Sequence, residues 1–100
     1  MAGTDVVFDE KTKINVTQPT MWKVIFLNDD ITPMDFVISL LMELFKHNFE
    51  SARSITMQVH EQGSGVAGMY TYEIAEQKSK EATELSRANG FPLQIKMEEE

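Results

Sequence analysis

The sequence predicts an α+β domain, a small three-stranded antiparallel sheet covered by three helices in the order β-α-α-β-α-β. Apolar runs at Met21–Leu27 and Phe91–Met97, and a shorter one at Val66–Tyr70, read as strands. Between them, apolar residues recur three and four positions apart, the spacing that builds one face of a helix. Helices mixed with strands over short connections suit a helical layer on one face of the sheet.

Residues 1–20 are polar and weakly patterned, with Asp5, Asp9, Glu10, Lys11 and Lys13 among small side chains and Pro19 near the end. They are expected to form a flexible extension ahead of a folded core over residues 21–97. In the first strand Trp22, Val24 and Phe26 alternate with Met21, Lys23, Ile25 and Leu27. It halts at Asn28-Asp29-Asp30, whose short polar side chains bond nearby backbone and so favour a tight acidic turn. Thr32 can then cap a helix with Pro33 at its first position and Asp35 at its third, and Ile31 can staple onto Phe36. The apolar stripe Phe36, Val37, Leu40, Leu41, Leu44 and Phe45 carries this helix to near His47-Asn48.

A second helix is expected from about Glu50 to Gln62, with Ala52, Ile55 and Val59 on one face, Thr56 and His60 one turn apart, and Gly63 as the left-handed stop. After the short strand, Thr71 can cap a third helix holding Ile74, Ala75, Ala82 and Leu85, which Gly90 ends. Phe91, Leu93, Ile95 and Met97 alternate through the last strand, and Glu98-Glu99-Glu100 reads as a solvated end.

One hundred residues with 42% hydrophobic and 25% charged content make a single domain with one core. The absence of cysteine excludes a thiolate nucleophile, a disulfide framework and a cysteine metal site. A formal charge of −7 repels nucleic acid and anionic lipid, so neither is expected as a partner, and a cationic ligand fits better. No apolar run approaches the roughly 20 residues that span a bilayer, and the amino terminus has no basic start or hydrophobic signal core. A cytoplasmic protein is expected.

The ionisable candidates have plain structural explanations. Asp29 and Asp30 suit an ordinary solvated turn, and a histidine near a helix carboxyl end, as His60 is, gains from the helix dipole. Metal binding by Asp29, Asp30 and His60 is not expected, because His47 falls at the opposite end of a helix and no close ligand spacing occurs. No G-x-S-x-G elbow, phosphate loop or H-E-x-x-H pattern is present, so neither an enzyme nor a cofactor is expected. Met34 and Met57 flank the turn and the second helix and could line an adaptable pocket, although core packing explains them as well.

The run from Met21 through Asn28-Asp29-Asp30-Ile31-Thr32-Pro33-Met34 to Val37 resembles the signature of the ClpS family, the adaptors of bacterial Clp proteases for the N-end rule. The resemblance continues through Val59-His60-Glu61-Gln62-Gly63, Thr71-Tyr72-Glu73-Ile74-Ala75-Glu76 with Lys78, and Ala88-Asn89-Gly90-Phe91-Pro92-Leu93. It implies that Asn28, Asp30 and His60 hold the free α-amino group of a substrate's first residue, with Asp29 supporting the loop and adding backbone contacts. It also implies a side-chain pocket lined by Thr32, Met34, Val37, Val59 and Leu93, and a surface at Glu73 and Lys78 that docks on the amino-terminal domain of a Clp unfoldase. Thr56 stands where the family usually carries a methionine, which implies a reshaped pocket.

The chemistry agrees with that implication. An α-amino group, with a pKa near 8, is largely cationic at neutral pH and offers three protons to three acceptors. Hydrogen bonds to a charged group contribute about 1.5 to 3 kcal/mol each, and burying a Leu or Phe side chain about as much. Association itself costs on the order of 4 to 15 kcal/mol, so useful affinity needs both the amine and the bulky side chain. The competing expectation is a non-catalytic structural or ribosome-associated α+β module, similar in architecture to the carboxyl-terminal domain of the ribosomal stalk protein, with the acidic loop as a plain turn.

Overall fold

The alternation at Met21–Leu27 forms β1, the middle strand of an antiparallel sheet ordered β2-β1-β3, where β2 is Ser64–Thr71 and β3 is Gln94–Glu99. Helices α1 (Met34–Glu43), α2 (Phe49–Gln62) and α3 (Tyr72–Ala88) complete the predicted order. The computed structural model describes residues 20–100, so the extension expected over residues 1–20 lies, Thr20 apart, outside the described residues.

Val24 and Phe26 of β1 are fully buried against the helices, and their cluster takes in Leu40, Leu41 and Phe45. Phe26 and Phe45 meet edge to face at 5.5 Å. Ala52, Ala75 and Ala82 are fully buried helical positions, and their small side chains let α2 pack closely on α1 and β2, and α3 on the sheet. The β1–β2 register shifts between Val24 and Ile25 and leaves Ala67 as a bulged residue. The Ala67 carbonyl can only accept, so the His47 Nε2 lying 2.6 Å away carries a proton and donates it. His47 thus works as a strand-edge clamp.

Several boundaries differ from expectation. The N-cap of α1 is Pro33, not Thr32, and it makes no side-chain cap bond. The Thr32 hydroxyl donates instead to Asp29 Oδ2 at 2.9 Å. The expected staple is not made, since Ile31 is 68% exposed and Phe36 stacks edge to face on Phe91 at 4.9 Å. Helix α1 stops at Glu43, short of His47-Asn48, because Lys46 turns to φ 62° and the Asn48 side chain caps α2 by accepting from the Ser51 amide at 2.8 Å.

Thr71 has the extended backbone of an N-cap for α3 but makes no side-chain cap bond. Helix α3 closes at Asn89-Gly90, where the Phe91 amide returns to the Ser86 carbonyl at 2.9 Å. Strand β2 begins two residues earlier than predicted, and β3 begins at Gln94, not Phe91. Glu98 and Glu99 are laddered opposite Lys23 and Trp22, and the Glu100 amide bonds Met21, so only their side chains are solvated.

Candidate functional site

Where β1 ends, the chain turns beside the carboxyl end of α2, and the two meet through one backbone bond. The Asn28 amide donates to the Gly63 carbonyl at 2.9 Å, while the Gly63 amide caps α2 on the Val59 carbonyl at 2.9 Å. Gly63 holds φ 92°, a left-handed conformation that glycine adopts without steric cost. Asn28 from the strand exit and His60 from the helix end are thereby brought to one cleft.

The Asp29 carboxylate organises the turn from within. Oδ1 accepts from the amides of Ile31 at 2.8 Å and Thr32 at 2.7 Å, while Oδ2 takes the Thr32 hydroxyl. Partial burial alone pushes the Asp29 carboxyl up, but the bonds from Thr32 and Ile31, with the positive field of Arg87, together outweigh it and hold the group below its ordinary value. Arg87 also donates to the carbonyls of Phe91 at 3.0 Å and Leu93 at 2.8 Å, which ties the segment before β3 to the end of α3.

The space within the resulting cleft, counting the solvent at its open mouth, is about 260 Å³. Asn28, Asp29, Thr32, Met34, Val37, Thr56, Val59, His60 and Leu93 line it, all of them expected, and Leu27 joins them. Leu27 was missed because it reads as the last core residue of β1; its place directly before Asn28 was the available cue. Val37, Val59 and Leu93 form a dry wall, whereas Asn28 and His60 are exposed at the rim. Thr56 is 2% exposed and its hydroxyl bonds the Ala52 carbonyl at 2.8 Å, so the group left to face the cleft is its methyl.

Asp30 is exposed and does not line the cleft, unlike its two neighbours in the turn. Met57 is half-buried and also lies outside the lining. Glu73 is exposed in the first turn of α3. Lys78 is half-buried: Nζ donates to the Leu44 carbonyl at the end of α1 at 2.6 Å, and lies 6.0 and 5.7 Å from the ring centres of Phe45 and Tyr70. Among the described residues no group of three or more His, Asp or Glu side chains could hold a metal ion. No described helix is long and apolar enough to cross a membrane.

A family model described as "ATP-dependent Clp protease adaptor protein ClpS" matches residues 17–96. The chain belongs to the ClpS family. The ClpS adaptor of Campylobacter jejuni is 48% identical over 91 residues, covering 91% of this chain and 93% of that one. That of Wolinella succinogenes is 41% identical over 97 residues, covering 97% and 95%. Among solved structures, Agrobacterium tumefaciens ClpS2 bound to L-phenylalaninamide superposes with a TM-score of 0.80 at 41% identity, covering 83% of this chain and all of that one. Members of the ClpS family are adaptors of the ATP-dependent Clp protease. The three-stranded sheet under three helices is the ClpS fold.

Proposed function

We propose that this ClpS chain binds the bulky hydrophobic first residue of a substrate protein, Phe, Leu, Tyr or Trp, and delivers the substrate to a Clp unfoldase without itself catalysing a reaction. The observation that carries this reading is one cleft with polar acceptors at its rim and apolar walls within: Asn28 and His60 beside Val37, Val59 and Leu93. L-phenylalaninamide, the ligand of the Agrobacterium relative, combines a free α-amino group with a bulky side chain, the two features such a cleft would require together.

On this reading the ammonium group rests between the Asn28 carbonyl oxygen and an unprotonated His60 nitrogen. Asp30 adds negative charge from the outer side of the turn, and Asp29 keeps the turn in shape. The first side chain enters between Met34, Val37 and Val59, with Thr56 and Leu93 completing the pocket. Thr56, smaller than the methionine usual in the family, would relax the exclusion of Ile and Val. Glu73 and the outward part of Lys78 would meet the amino-terminal domain of a ClpA-like unfoldase. An ATP-dependent protease needs a compartment that holds ATP, so the site of action on this reading is the cytoplasm.

Fluorescence anisotropy with a Phe-initiated peptide and its amino-acetylated twin tests the reading. Binding is expected for the free amine only. Equal binding to both, or to neither, would leave the rival reading, a structural module with an ordinary acidic turn.

A further inference from the structure

We propose that Gly65 sets the width of the side-chain cleft by leaving room beside it for the Val59 side chain, which makes it a positioning residue for ligand selectivity. The inference rests on the cleft being the ligand site. Gly65 is buried in β2 and pairs with Phe26 of β1, so a side chain there would point at the helical layer, as Phe26 does. A Cβ on Gly65 would lie 2.8 Å from Val59 Cγ2 and 3.3 Å from the Ile55 carbonyl oxygen. Ordinary contacts begin near 3.4 Å, so something must move.

Few movements are open to it. Val59 is β-branched, helical and 4% exposed, so it has one favoured rotamer and can yield only by shifting within it. The Ile55 oxygen is helix backbone and retreats only if α2 moves. Helix α2 is in turn tied at its end, where Gly63 caps Val59 and accepts from Asn28. The displacement therefore falls on the Val59 side chain, which lines the cleft. A wall pressed inward costs a large ring more than an isobutyl group.

The test compares Trp-, Phe- and Leu-initiated peptides on the full chain and on Gly65→Ala by anisotropy. Affinity for Trp and Phe is expected to fall about tenfold or more relative to Leu, the scale of one methylene's worth of space in an apolar pocket. A uniform loss, no change, or a shift in favour of the larger rings overturns the proposal, since a purely structural role would not reorder the peptides. Val59→Ala removes the methyl that the new Cβ meets; in that background Gly65→Ala is expected to leave the Phe-to-Leu ratio unchanged, and a reordering as large as in the wild-type background overturns the proposal. Should Gly65→Ala alone not fold, the double variant is expected to fold, and a double variant equally unfolded overturns it. A wild-type chain that binds no Phe-initiated peptide removes the proposed function and this inference together. A wild-type chain that binds, with an unchanged rank order in Gly65→Ala, removes this inference alone.

Discussion

Replacing Asp29 by Ala removes the acceptor for three donors at once, the amides of Ile31 and Thr32 and the Thr32 hydroxyl. Bonds to a charged acceptor contribute about 1.5 to 3 kcal/mol each where water is excluded, but this turn is partly open and the Ile31 amide can turn to solvent. Loss of a comparable carboxylate cap on helix amides costs about 0.5 to 2 kcal/mol, so a loss of about 1 to 2 kcal/mol is expected after discounting for screening. For a domain of this size each kcal/mol lowers Tm by about 4 to 8 °C. Urea unfolding followed by the fluorescence of Trp22, the chain's one tryptophan, which packs edge to face on Tyr72, measures it directly. The folded-state carboxyl lies below its ordinary value of 3.8, so its contribution is complete above that pH and is lost as pH falls through the folded value. The deficit of Asp29→Ala should therefore be largest near neutrality and shrink below about pH 4. A wild-type unfolding midpoint, or a deficit unchanged down to pH 3, would refute the argument that this carboxylate holds the turn together.

Three further outcomes follow from single contacts. Lys78→Met keeps the stem over Phe45 and Tyr70 but leaves the Leu44 carbonyl without its cationic donor, so stability should fall by about 1 kcal/mol; unchanged urea unfolding would show that the bond contributes nothing. Thr56→Met adds length at a buried pocket position and should strengthen discrimination against Ile- and Val-initiated peptides while lowering affinity for Trp, which peptide titrations decide; identical profiles for the two proteins would remove Thr56 from the specificity argument. His47→Ala strips the donor from the bulged Ala67 carbonyl and should speed amide hydrogen exchange in β2 before other strands are affected; exchange rates like those of the wild type would contradict its role as a clamp.

The parts of the fold legible in the sequence were those set by local periodicity. The β-rich run Met21–Leu27 became β1 at the predicted residues, and helix α2 reached Gly63 as expected. Legibility failed where two local preferences competed. Thr32 has the chemistry of an N-cap, but the Asp29 carboxylate took its hydroxyl first, which moved the cap to Pro33 and left Ile31 in solvent. Asn48 could end one helix or start the next, and its bond to the Ser51 amide decided for the second. The charges at Glu98 and Glu99 masked a strand, because an edge strand needs only backbone bonding on one side and can carry charge outward.

The candidate site was legible to a similar degree. Asn28 and His60, far apart in the chain, converge with Val37, Val59 and Leu93 on one cleft, but Asp30 stays outside its lining, and the internal bond of Lys78 had no local cue because its partner, Leu44, lies at the end of another helix. Gly65 was likewise silent, since its importance lies in a contact that only the packed helix creates.

The proposed function requires one cleft to read a free amine and a bulky side chain together. NMR titration of the isotope-labelled chain with L-phenylalaninamide and with its amino-acetylated form tests it most directly. The free amine is expected to shift the amides of Asn28, Val59, His60 and their neighbours in the turn, while the acetylated form leaves them in place. Shifts of equal size with both compounds, or shifts confined to residues away from this cleft, would contradict it.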